Sequence, residues 1–180
     1  MLPGFSSPAA SFEQPFEMLA ACHDRVRRSL QRLQRLAAYL RERGTDEPAR
    51  QAAADVLRYF DIAAPHHHED EERHVFPPLL AEGTPAVQAA VRRLQRDHVE
   101  MAAAWATLRP ALQRIADGSA GALQETDERA LEHFVSLYAE HLRTEDEEVY
   151  PAARERIDAP TLAEMGCEMA QRRGAPPPKR

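Results

Sequence analysis

The sequence predicts an all-α protein, an up-down-up-down four-helix bundle with a short C-terminal helix and a disordered tail, and three observations carry that prediction. Apolar residues recur at steps of three and four along four separate stretches of roughly 20 to 30 residues. The stretches are separated by short breakers, among them Gly83-Thr84-Pro85 and Asp117-Gly118-Ser119-Ala120-Gly121. The chain also repeats itself: His23 to His98 spans 75 residues, and His67 to His141 and Glu71 to Glu145 each span 74. A chain repeated as helix pairs folds into a bundle with approximate two-fold symmetry.

Residues 1–14, with Pro3, Gly4 and Pro8, read as a loose arm. From Pro15 onward, Phe16, Leu19, His23, Val26, Leu30, Leu33, Ala37 and Leu40 form the apolar seam of a first helix, with His23 at a core position. Arg41-Glu42-Arg43-Gly44 closes it, and Thr45 or Asp46 caps a second helix with Pro48 in its first turn. Ala53, Val56, Phe60 and Ala63 step into His67 and Glu71, so the seam selects His67 from the run His66-His67-His68. Pro65 is expected to bend this helix, and Pro77-Pro78 to end it.

The third helix carries Val87, Val91, Leu94, His98, Met101, Trp105, Leu108, Leu112 and Ile115, with His98 the polar member of the seam and Pro110 a candidate kink. The fourth begins near Thr126, places Ala130, Phe134, Tyr138, His141 and Glu145 on its inner stripe, and stops near Pro151. The bundle is thus expected over residues 15–155. Residues 156–180 then hold a short helix over 162–173, covering one bundle end, and the disordered tail.

At 180 residues the chain suits one domain with a full core. The net charge of −6, with no basic block outside the Arg-bearing helices, argues against nucleic acid as a partner. Cys22 and Cys167 are too few for a disulfide framework. The opening Met1-Leu2-Pro3-Gly4-Phe5 lacks the pattern of a signal peptide, and no apolar run is long enough to span a bilayer, so a cytoplasmic protein with no membrane partner is expected.

Chemistry concentrates in residues 65–78, Pro-His-His-His-Glu-Asp-Glu-Glu-Arg-His-Val-Phe-Pro-Pro, and in their second copy, 140–151. Both contain His-x-x-x-Glu. A step of four on an α-helix advances about 400°, so His67 and Glu71, like His141 and Glu145, point the same way one turn apart. The repeat brings His23 and His67 toward one point and His98 and His141 toward another, with Glu71 and Glu145 between them as bridging carboxylates. Four imidazoles and two carboxylates in an apolar seam would be costly with nothing to coordinate. Mixed nitrogen and oxygen donors with open positions suit iron or manganese better than structural zinc. Ferritin-like bundles are the rival architecture, but their spacing is Glu-x-x-His.

With those residues in place, the chain resembles the hemerythrin-like family, the HHE cation-binding domain, over roughly residues 15–155. The resemblance places metal ligands at His23, His67, Glu71, His98, His141 and Glu145, and the ending Glu71-Glu72-Arg73-His74-Val75-Phe76-Pro77 also matches. It implies two iron ions in a non-heme centre with an oxo or hydroxo bridge, manganese or zinc being alternatives, and a small ligand such as dioxygen, nitric oxide or peroxide at an open iron position. Oxygen carriers of the family have a second third-helix histidine four residues after the first, where this chain has Ala102. His68 is a further candidate ligand that compensates for it.

Other polar residues near the motifs read differently. Glu72, Glu147 and Glu148 read as a solvated negative rim. His74 and Glu148 occupy equivalent places and are candidates to support the ligands from behind. His66 reads as part of a polar cluster at the helix bend, His133 as a surface or packing residue, Tyr138 and Trp105 as core, and Cys22 as pointing away from His23. The functional readings are a binding or sensing protein, a di-iron oxidase or peroxidase-like enzyme, and an iron reservoir or helical scaffold; its protein partner is left open.

Overall fold

The structure, a computed structural model, describes residues 11–178; residues 1–10 and 179–180, and with them most of the expected arm and the last of the tail, lie outside the described residues. Ser11 to Gln14 form a turn in which Gln14 N–H donates to the Ser11 carbonyl at 3.0 Å, and Phe12 packs partly buried on the core. This last part of the arm is therefore tied down rather than loose.

Helix α1, Pro15–Arg43, buries the whole predicted seam. Gly44, at φ 73°, turns the chain in the left-handed region and caps the helix by donating to the Leu40 carbonyl. Helix α2 runs over residues 47–82 and is capped by Asp46, whose carboxylate accepts from Ala49 N–H at 3.0 Å. Helix α3, Pro85–Ala116, is capped by Thr84 and continues through Pro110. Helix α4 covers residues 125–154 with one break at Leu137. Short loops join these four, giving the expected bundle. Helix α5, Ala159–Arg172, starts three residues before its predicted position because Asp158, which accepts from Thr161 N–H, is its cap.

Pro77-Pro78 do not end α2, which runs on to Glu82, while α4 passes Pro151 and ends at Arg154, close to its expected end. The reason is the same in three places: Pro65, Pro77 and Pro151 each stand two residues after a π-helical turn, over Tyr59–Ala63, Glu71–Val75 and Glu145–Val149. In each turn the residue before proline donates five residues back, Ala64 to Tyr59, Phe76 to Glu71 and Tyr150 to Glu145. The wide turn moves the preceding carbonyls out of the path of the pyrrolidine ring, so the missing N–H and the ring's volume are accommodated within the helix.

The interior is layered. One apolar block, containing Val26, Leu33, Phe60, Met101, Leu108 and Phe134, fills the half of the bundle near the α1–α2 loop. A second, containing Leu19, Val75, Phe76, Leu79, Leu94 and Val149, fills the other half, and Met165 and Met169 of α5 close it from the end. At Gly166 α5 lies so close to the Phe12 carbonyl that an added Cβ would collide with it. Electrostatics fix α5 further: Asp70, fully buried on α2, accepts from Arg172 at 2.6 Å and from Arg173 at 2.6 and 3.0 Å. Among the described residues no helix is long and apolar enough to cross a membrane.

Candidate metal centre

Between the two apolar blocks lies one polar layer, made by His23 of α1, His67 and Glu71 of α2, His98 of α3, and His141 and Glu145 of α4. All six are buried, with no residue more than 7% exposed. Their donor atoms form two groups. His23, His67, Glu71 and Glu145 bring one atom each within 4.8 Å of one another, and so do His68, His98 and His141. The two carboxylates join the groups: Glu71 lies 3.4 Å from both His67 Nε2 and His98 Nε2, and Glu145 lies 3.0 Å from His141 Nε2 and 3.2 Å from His23 Nε2.

These atoms have ion-pair proximity but lack the hydrogen bonds that buried polar groups normally make. His67 Nδ1 and Nε2, Glu71 Oε2, His98 Nε2, His141 Nε2 and both Glu145 oxygens have no hydrogen-bond partner. A layer of orphaned nitrogen and oxygen donors, aimed inward from four helices, fits a cation chelate and little else of comparable stability. The donor set therefore fits the two metal ions that the sequence motifs imply.

The imidazoles are held from behind in a pattern that crosses the repeat. Asp146, which follows Glu145, accepts from His23 Nδ1 at 2.7 Å, while Glu72, which follows Glu71, accepts from His98 Nδ1 at 3.0 Å. Each half thus orients a histidine of the other. Asp97 lies 3.4 Å from His141 Nδ1, and its counterpart in the first half is Cys22, so His67 has no such partner. Glu72 is accordingly no bare rim charge, and Asp97 and Asp146 are supporting residues that sequence reasoning missed. His74 does not serve the site; it pairs with Glu168 of α5 at 2.7 Å.

Burial pushes the His23 imidazole down, but the neighbouring carboxylates of Asp146, Glu145 and Glu71 outweigh it and raise its pKa to about 11. His98 follows the same logic, with burial opposed by Glu145, Glu71 and Glu72, and also reaches about 11. His67 and His68 are instead lowered by burial. Burial pushes Glu71 up, yet the imidazoles of His67, His23 and His98 hold it well below the usual carboxylate range.

His68 joins the second group, its ring stacked on His98 at 4.0 Å between centroids. Ala102, expected on the same face as His98, is exposed. The seam steps from His98 to Met101 by three, and a residue one further along rotates out of the layer. The third nitrogen of that group comes from α2 rather than α3. Tyr150 was missed altogether: its hydroxyl donates to Glu71 Oε1 and lies 2.9 Å from His23 Nε2. Cys22 is buried but contributes no donor to either group.

A family model for the hemerythrin HHE cation-binding domain matches residues 14–153. The chain is also 33% identical over 164 residues to an uncharacterized protein of Haemophilus influenzae, an alignment that covers 91% of this chain and 92% of that protein. Helical architecture, the paired His-x-x-x-Glu units and the family match converge: the chain belongs to the hemerythrin HHE cation-binding domain family and is a metal-ion-binding four-helix bundle.

Proposed function

We propose that this chain is a non-heme di-iron protein that binds or senses dioxygen, nitric oxide or peroxide, with His23, His67, Glu71, His98, His141 and Glu145 as ligands and His68 as a seventh. The observation that carries the reading is the pair of donor groups joined by two buried carboxylates, three of whose four oxygens lack hydrogen bonds. When bound, an iron pair supplies a redox couple and Lewis acidity for a small oxidant or gas. The protein's share is to hold the imidazoles through Asp146, Glu72 and Asp97, fixing which nitrogen faces inward, and to exclude bulk water. Burial of the layer between two apolar blocks favours a diatomic or peroxide-sized ligand over a larger substrate. Cytoplasmic residence remains part of this reading.

Metal analysis of anaerobically prepared protein is expected to give two ions per chain, with iron retained best, and spectra should change on adding dioxygen, nitric oxide or peroxide. A stoichiometry of one would sink the dinuclear site. Persistent indifference of the two-iron protein to all three would leave the reservoir or scaffold as the better account.

Loading should also release protons. Since His23 and His98 hold theirs up to pKa values of about 11, both are charged throughout the neutral range, and metal must displace those protons. Apparent affinity is expected to rise with pH across that range, with at least one proton released per metal in weakly buffered indicator solution. Metal uptake without proton release would show that these imidazoles start neutral.

A further inference from the structure

The two halves of the centre are not chemically alike, and the differences compensate. In the repeat His68 corresponds to Leu142, and Phe76 to Tyr150. Phe76 stacks on His98 with centroids 5.6 Å apart and rings 20° from parallel, and Tyr150 stacks on His23 at 5.1 Å and 20°. The two aromatic rings thus play one packing part on opposite sides. Only Tyr150 carries an oxygen, and it stands on the side that has two imidazoles rather than three.

That oxygen faces the ligand atoms. His23 Nδ1 is occupied by Asp146, so Nε2 is the nitrogen left for a metal, and Tyr150 Oη lies 2.9 Å from it. Two donors roughly 2.0–2.2 Å from one ion and at right angles to each other are about 3 Å apart. The hydroxyl also donates to Glu71 Oε1, a carboxylate shared between the groups, and Tyr150 is 4% exposed, so no solvent competes for the position. A cation seated among His23, His67 and Glu71 lies within reach of Tyr150.

From this geometry we infer that Tyr150 is a phenolate ligand of the ion held by His23 and His67, so that one metal takes two imidazoles and a phenolate as terminal donors and its neighbour takes three imidazoles. On binding, the O–H bond breaks, an oxygen–metal bond forms and the proton passes to the buffer; no oxidant is needed. The inference rests on the dinuclear reading above. It assigns the two positions different chemistry, the hard anionic oxygen favouring the more oxidised ion on the His23 side.

The test uses the full chain and its Tyr150→Phe variant, a replacement that the Phe76 side already accommodates. Each is loaded anaerobically with iron(II), counted for metal, then oxidised. Wild type is expected to show a phenolate-to-iron(III) charge-transfer band in the visible, with phenolate modes in the resonance Raman spectrum excited there, and the variant to lose both while keeping its helical circular dichroism. Zinc loading gives an arm independent of iron: a near-ultraviolet tyrosinate difference signal from one of the four tyrosines, absent in the variant. Two metals per wild-type chain with neither signal would overturn the phenolate and leave the dinuclear site standing, as would signals that survive in Tyr150→Phe. Failure of wild type to hold two ions of either metal would bring both readings down. Should the variant fail to fold, the wild-type signals decide alone.

Discussion

Replacing His67 by alanine is expected to take the chain from two bound ions to one or none and to remove most of the thermal stabilisation that metal confers. His67 is 1% exposed, and neither of its ring nitrogens has a hydrogen-bond partner, so without metal the imidazole does little polar work and its loss costs mainly packing. With metal, it closes the group formed with His23 and the two carboxylates. An ion present at about 100 times its dissociation constant adds about 2.7 kcal/mol to stability. For a domain of this size that corresponds to roughly 5–10 °C in melting temperature. The variant should therefore melt below wild type by the packing cost alone when both are metal-free, and by a further margin when both are loaded. Elemental analysis and calorimetry in the two states check this; unchanged metal content and melting would mean that His67 is not the histidine of the run that binds.

Asp70→Ala is expected to be the most damaging single change away from the ligands. The carboxylate is fully buried, and its removal takes from Arg173 its anion and from Arg172 one of three, Glu168 and Glu69 remaining; the two side chains are only 16% and 13% exposed. Breaking a buried pair by deleting one partner costs about 3–5 kcal/mol. The residual exposure of both arginines, and the second anion Glu168 that Arg172 keeps at 2.8 Å, place the effect toward the lower end. A loss on the order of 10 °C in melting temperature follows for a chain of this length. Since α5 covers the second apolar block, its release should also expose Met165 and Met169 to a hydrophobic dye. Chemical denaturation measures the cost, and a value under about 1 kcal/mol would show that the guanidinium groups recover solvent without unfolding.

The prolines show where local reasoning stops. Pro65 is expected to bend a helix and Pro77 and Pro151 to stand at helix ends, yet all three sit inside continuous helical runs, with a π turn before each. Two of those turns begin at Glu71 and Glu145 themselves, so His67 and His141 keep their four-residue α-helical relation to the carboxylates while the strain is taken up one turn later. A repeated Glu-x-x-x-apolar-aromatic-Pro ending was visible in the chain. Its backbone conformation was not, since hydrogen-bond register within a helix leaves no mark on apolar spacing.

By itself the sequence determined the four-helix architecture, the two-fold repeat and the six residues of the central layer. The repeat follows from the 74- and 75-residue spacing of matching motifs, and the rest from helical periodicity, which decides within one helix which side chains share a face. Only the tertiary structure decided what meets across helices. It placed His68 with His98 and His141, turned Ala102 outward, and joined Asp146 to His23 and Glu72 to His98, each contact linking opposite halves of the chain. It also brought the Tyr150 oxygen onto His23 and Glu71, from residues 127 and 79 positions away. Such contacts depend on the spacing and rotation of packed helices, and a few degrees of rotation exchange one neighbour for the next without changing the apolar pattern from which the bundle was read.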